Sequence, residues 1–320
     1  MKEPNPTPDQ TRWKRRIRKM IWMILGLAAF LLFVVMPCGL SYLLTHAHTR
    51  PMDLKLTSTP ADFKVPYREV QFEAPEKSFS QWGQGVPISA WYLPREKPKA
   101  VILYAHGLFR SRREMLERAA WLWKHGYAGL LLDLRRHGNS GGSLSGMGYL
   151  ERLDIEAAVH FIRDSLRLRA PLIGFGVSMG AAAMILAAAE TPEIAALIVD
   201  SSFLSFENTI THHLKLFLGL PRFPVGDLLI ACTRWRLGFR EGEFDMVRSL
   251  QRLQQRPILI IAGGRDRRMP VNVQRRLFES AATAKKTFFV VPEATHGAAY
   301  RTDREAYKQA VLGFLETLEF

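Results

Sequence analysis

The sequence predicts an α/β fold: one mostly parallel, eight-stranded sheet with helices on both faces. Three observations predict it. Short, near-continuous apolar runs such as Ala100–Ala105 and Ala128–Asp133 read as strands covered on both sides. Segments with helical spacing separate those runs. Gly176-Val177-Ser178-Met179-Gly180 stands where strand formers give way to helix formers, a sharp turn that would expose one serine.

In chain order, the first element lies outside that sheet. Met20 to Leu44 runs for 25 residues without a charged side chain. At ~1.5 Å per residue that is enough to cross ~30 Å of hydrocarbon as a helix. Pro37 and Gly39 mark where this helix is expected to kink or end. Residues 1–19 carry seven basic and two acidic side chains, whereas only Arg50 and Lys55 follow the span closely. The positive-inside bias therefore reads 1–19 as a cytoplasmic tail, 20–44 as a single-pass membrane anchor, and everything later as extracytoplasmic, with a bacterial inner membrane facing the periplasm as the favoured setting. A cleaved signal peptide is the competing reading, but its apolar core is normally about 7–15 residues. Cys38 sits inside the span, which is expected to take it out of any disulfide with Cys232, and Pro37 before it fits a lipidation site poorly.

Residues 45–68 read as a linker and 69–320 as the folded domain. Glu69–Ala74 and Ile88–Leu93 alternate in polarity and open the sheet as an antiparallel pair, turned around Gly83 and Gly85. The expected parallel strands are Ala100–Ala105, Ala128–Asp133, Leu172–Val177, Ile194–Asp200, Pro257–Ala262 and Lys286–Val291. Helical patterns intervene at Arg112–Lys124, Tyr149–Leu168, Ser178–Ala189, Val271–Ala282 and Tyr300–Leu318. Between Ser201 and Arg256 the alternation lapses for about 55 residues, too long for a plain connection. Rich in Phe and Leu and broken by Pro221 and Pro224, this stretch suits a helical cap at about 203–256, inserted after the sixth strand.

Composition narrows the function. The net charge is +14, of which the first 19 residues supply +5 (seven basic less two acidic). The rest is dispersed, with no basic helix interleaved with aromatics and no zinc-ligand spacing, so nucleic-acid binding is not expected.

Chance alone would place Gly-x-Ser-x-Gly in roughly one chain of this length in ten, so its surroundings must decide. A serine hydroxyl is a weak nucleophile until a histidine takes its proton and a carboxylate orients that histidine. His296 directly follows the last strand and is the expected base. Asp266, in the glycine-led loop after the preceding strand, is the expected acid; Asp200, which also ends a strand, is the alternative. His106-Gly107-Leu108 follows the first long parallel strand, where acyl transfer needs N–H groups aimed at a developing oxyanion. That assigns the oxyanion hole to the backbone N–H groups of Leu108 and Met179, with His106 shaping the loop by hydrogen bonding. The order Ser178, Asp266, His296 fits a strand-turn-helix nucleophile.

Together, His106-Gly107, Asp133-x-Arg135-x-x-Gly138-x-Ser140, Gly176-x-Ser178-x-Gly180, Gly263-x-x-Asp266-x-x-x-Pro270 and Thr295-His296-Gly297 resemble the α/β-hydrolase family of serine hydrolases, in its monoacylglycerol-lipase-like and S33 aminopeptidase-like branch. The resemblance spans about residues 69–320. It implies the α/β-hydrolase fold with a cap after the sixth strand, a catalytic serine, and a loop-building role for Asp133 and Arg135. The resulting expectation is a membrane-anchored serine hydrolase that cleaves carboxylic esters or thioesters through an acyl-enzyme and uses neither metal nor organic cofactor. Its expected partners are a small-molecule acyl ester and, through residues 20–44, the membrane; the anchor and apolar cap favour lipidic or amphiphilic substrates. A peptidase or amidase using the same triad, and a non-catalytic membrane scaffold, are the alternatives.

Overall fold

In the computed structural model, which describes residues 8–76 and 85–319, eight strands build the sheet. They are Arg68–Pro75 (β1), Gly85–Leu93 (β2), Val101–Ala105 (β3), Ala128–Leu132 (β4), Leu172–Val177 (β5), Ile194–Asp200 (β6), Ile258–Gly263 (β7) and Lys286–Val291 (β8). Their order across the sheet is β1-β2-β4-β3-β5-β6-β7-β8. β2 pairs antiparallel with both β1 and β4, and every later pairing is parallel. The part of the first turn expected around Gly83 lies outside the described residues.

Burial follows position in the sheet. β3, β4 and β5 are buried at every residue, as unbroken apolar runs require when helices cover both faces. β1 lies at the edge and shows Glu69, Gln71 and Glu73 to solvent, a charge pattern that discourages further strand pairing. One core layer packs the helices Glu151–His160 and Met179–Glu190 on one face; the other packs Leu116–Lys124 and Arg304–Glu316 on the opposite face.

Two expected helices differ in detail. Tyr149–Leu168 is an α-helix only over Glu151–His160 and continues as a π-turn over Phe161–Ser165. Tyr300–Leu318 is broken into Ala299–Thr302 and Arg304–Glu316, because the Asp303 side chain accepts the Ala306 N–H at 3.0 Å and so caps a new helix start. After β6, the cap is helical as expected, with Phe206–His213 running on to Leu218, Asp227–Leu237 behind a short turn, and Met246–Gln251. The cap stretches Phe206–Leu218 and Arg222–Leu237 meet at 114°.

The N-terminal helix neither ends nor breaks at Pro37. It runs as Pro8–Phe30, a π-turn over Leu31–Val35, and Met36–Thr45. Pro37 has no N–H for the carbonyl one turn earlier, and the wider turn just before it takes up the misfit. Among the described residues, Arg12–Thr45 is the one unbroken helix long and apolar enough to cross a membrane. Its 34 residues make it ~51 Å long, about 20 Å more than a hydrocarbon core.

The last turns of this helix dock on the cap. Thr233 Oγ1 donates to Ser41 Oγ at 3.0 Å, and Cys38 Sγ stands 2.6 Å from Cys232 Sγ. This corrects the expectation that Cys38 is out of reach of Cys232: the helix is longer than the span it needs, and its end lies along Asp227–Leu237. The following residues are stitched down as well, with Ser145 N–H donating to Thr45 O at 2.8 Å and Arg50 N–H to Phe109 O at 3.0 Å.

Candidate active site

Ser178 joins β5 to the helix Met179–Glu190 with φ 51° and ψ −111°, a left-handed conformation that side chains other than glycine rarely adopt. Its N–H donates to Asp200 O at 2.8 Å, which ties the turn to the end of β6. The flanking glycines are required by space. A Cβ on Gly180 would overlap the carbonyl group of Ala105, and one on Gly176 would overlap the backbone of Gly180. Only backbone movement could relieve either clash, so Gly180→Ala is expected to cost about 1–3 kcal/mol. A thermal melt within 1 °C of the parent would contradict this packing account.

The strand ends bring three of the expected residues together. Ser178 Oγ lies 2.8 Å from His296 Nε2, and His296 Nδ1 lies 2.7 Å from Asp266 Oδ2. Asp266 is fixed in turn: its Oδ1 accepts the N–H groups of Arg268 at 2.9 Å and Met269 at 2.8 Å. A carboxylate can only accept, so the His296 proton sits on Nδ1 and Nε2 is left to accept from the serine. The alternative acid, Asp200, is committed elsewhere: it accepts Ser201 Oγ–H at 2.8 Å and Tyr307 O–H at 3.1 Å. Nor is Asp266 absorbed by its arginine neighbours, since Arg265 pairs with Glu293 instead, at 2.5 Å.

Comparison with known proteins agrees with this architecture. The family model of serine aminopeptidase, S33, matches residues 96–231, which include the serine turn. The chain has the α/β-hydrolase fold. Protein YqkD of Bacillus subtilis (strain 168) is 27% identical over 238 residues, 73% of this chain and 77% of its own. Protein bem46 of Schizosaccharomyces pombe is 25% identical over 272 residues, 80% of this chain and 79% of its own. Among solved structures, the esterase Pf2001 of Pyrococcus furiosus superposes with a TM-score of 0.68 at 24% identity, covering 84% of this chain and 97% of that one. The α/β hydrolase GrgF from Penicillium sp. sh18 superposes with a TM-score of 0.59 at 16% identity, covering 79% and 98%.

In this α/β-hydrolase fold the loop after β3 is held by histidines acting as struts. His106 Nδ1 donates to Gly107 O at 2.8 Å, and its Nε2 accepts the Leu134 N–H at 3.1 Å. Burial, with the neighbouring His137, lowers its pKa to about 3, so the ring is neutral and both bonds hold at ordinary pH. His137, which the sequence did not single out, accepts the Phe109 N–H on Nε2 at 3.3 Å. The Gly107 N–H is taken by Glu114 at 2.7 Å. The N–H groups of Leu108 and Met179 have no acceptor among the described residues, and both residues border the same cavity as Ser178.

Two cavities meet at Ser178. The larger, of about 340 Å³, is mostly apolar and is walled by Leu108, Met179, Phe206 and Leu214 and by Leu40 and Leu44 of the N-terminal helix. His213 also faces it; burial, with Arg268 next, lowers its pKa to about 4. The smaller, of about 100 Å³, is polar and contains His296, Glu114 and four arginines. Sequence reading had no means of finding Leu40 and Leu44, because an apolar residue that walls a pocket looks like one that faces lipid.

Proposed function

We propose that this hydrolase is a membrane-anchored serine enzyme that cleaves carboxylic esters or thioesters of lipidic or amphiphilic acyl groups through an acyl-enzyme. The observation that carries the reading is the Ser178–His296–Asp266 hydrogen-bond chain, opening directly on an apolar cavity. In this reading His296 Nε2 takes the Ser178 proton as Oγ attacks the acyl carbon, and Asp266 stabilises the imidazolium. The free N–H groups of Leu108 and Met179 receive the oxyanion, a contribution of ~3 kcal/mol per donor. His296 then protonates the leaving group and afterwards activates water to release the acid. Besides substrate and water, the groups in this route are Ser178, His296, Asp266 and the two backbone N–H donors. The name of the Pyrococcus furiosus neighbour, an esterase, supports an ester over a peptide.

Anchoring through residues 20–44 is part of the proposal, with the N-terminus cytoplasmic and the hydrolase domain on the far side of a bacterial inner membrane. The exposed apolar helix and its basic leading end support it. So does the cap, which shows Phe217, Phe223 and Trp235 to solvent and touches Leu31–Val35 of that helix through its turn Arg222–Gly226.

Fluorophosphonate labelling competed by esters, thioesters and peptides tests the chemistry. A graded series of aryl esters tests the acyl preference: turnover should rise as the acyl chain lengthens and fills the cavity, and a flat series would remove the lipidic half of the reading. Leu44→Trp should then shorten the preferred acyl chain. It is expected to lower turnover of a long-chain ester about tenfold relative to a short one, the value of one or two methylenes displaced from an apolar site.

A further inference from the structure

We propose that the smaller cavity beside Ser178 is a leaving-group site built for a phosphate-bearing alcohol or thiol, so that the substrate is an acyl ester or thioester whose departing half is anionic. This rests on the reading of Ser178 as nucleophile and says what the second cavity adds to it.

An ester has two halves, and the site has two cavities sharing Leu108, Phe109, Ser178 and Arg268. Only the smaller one is lined by His296. The histidine must give its proton to the departing oxygen or sulfur, so the leaving group belongs on that side and the acyl chain on the apolar side.

The charge of the smaller cavity is unbalanced. Arg50, Arg110, Arg268 and Arg301 line it, against a single carboxylate, Glu114. Arg110 is already engaged, donating to both oxygens of Asp53 at 3.0 and 3.2 Å and lying 3.6 Å from Glu114. Arg50, Arg268 and Arg301 have no ion pair among the described residues. Asp266 is near Arg268, but its oxygens are spent on His296 and two backbone N–H groups.

The Arg268 Nε is buried and has no hydrogen-bond partner among the described residues. Burial lowers the pKa of this guanidinium; Asp266 opposes the shift, and the charge of Arg50 adds to it, so the two cations are close enough to repel. A buried donor left unpaired beside a like charge is costly unless an anion arrives to take it. Three guanidinium groups brought in from three separate segments of the chain also outnumber what one carboxylate can use. A phosphate, with two charges and several acceptor oxygens, matches them.

Such an anion has two natural sources, a phosphorylated lipid headgroup and a soluble phosphorylated thiol carrier, and matched substrate pairs separate them. Full-length protein in detergent micelles would be given decanoyl glycerol 3-phosphate against monodecanoyl glycerol, and decanoyl-coenzyme A against decanoyl pantetheine. At least one phosphate-bearing substrate should exceed its neutral partner in kcat/KM by tenfold or more. The pair that shows the preference identifies the source. Arg268→Gln and Arg301→Gln should each cut that ratio by about tenfold to a hundredfold, the range for one charged hydrogen bond. Arg301 is exposed, so its variant keeps the test open should the Arg268 variant fold poorly.

Ratios near one in both pairs, or ratios unmoved in the variants, would overturn the leaving-group site. Fluorophosphonate labelling of the wild type separates the two claims. Labelling without an anion preference sinks only this inference, whereas no labelling sinks the nucleophile beneath it.

Discussion

Ser178→Ala is expected to lower ester turnover by on the order of 10⁴–10⁶-fold and to erase fluorophosphonate labelling, while its thermal melt stays within about 3 °C of the wild type. The stability half follows from what the side chain does. Alanine keeps the strained backbone of the turn and the N–H bond to Asp200 O, and loses only the contact from Oγ to His296. His296→Ala should match it in rate, because residues that act as one unit are not additive. Asp266→Asn should cost roughly 10⁴-fold, since an amide facing Nδ1 favours the wrong tautomer. Asp200→Asn separates the two acids: with its carboxylate held by Ser201 and Tyr307, its effect should fall on the melt and not on turnover by the folded enzyme. Retained turnover in the Ser178 or His296 variant would remove the proposed mechanism altogether.

The expected triad could be read from position because the residues that matter sit at the ends of buried parallel strands, and such strands are visible as unbroken apolar runs. Ser178 follows β5, Asp266 follows β7 and His296 follows β8, so the sheet order brings together residues 118 and 30 positions apart. Helix ends were less visible, since Asp303 caps a helix from inside what reads as one continuous helical pattern. Least visible was everything contributed by chain regions that touch only in space. Leu40 and Leu44 fall inside the apolar span, Arg50 counts only as a charge that follows it, His213 and Arg301 carry no signal of their own, and Cys38 reads as separate from Cys232, 194 residues away. In each case the residue type is common and its spacing uninformative. Only the docking of the N-terminal helix on the cap gives the first two, and the cysteine pair, their place.

Arg135→Met is expected to lower stability by about 3–5 kcal/mol, the range for removing one partner of a buried ion pair. That corresponds to a fall in melting temperature of about 6–20 °C for a domain of this size. The guanidinium is fully buried. Its Nε and Nη2 donate to Asp154 Oδ1 at 2.9 and 2.7 Å, Nη2 also reaches Pro75 O at 3.1 Å, and the backbone N–H of Arg135 donates to Asp154 Oδ2 at 2.8 Å. Methionine leaves the Asp154 carboxylate in the core with little beyond that backbone bond. Adding Asp154→Leu should recover much of the loss, because replacing buried charges by apolar groups of similar volume is often neutral, although the buried Glu76 carboxylate, 3.6 Å from Arg135 Nη1, still loses that contact. The pair of variants also decides what the Asp133-x-Arg135 loop is for. Its next-door residues, Leu134 and His137, bond His106 and Phe109, so its order is transmitted to the segment that carries the Leu108 N–H. If Arg135 only holds that loop, the recovered double variant should label with fluorophosphonate within about tenfold of the wild-type rate. A double variant that melts normally yet fails to label would show that the guanidinium acts on the chemistry as well as on the fold.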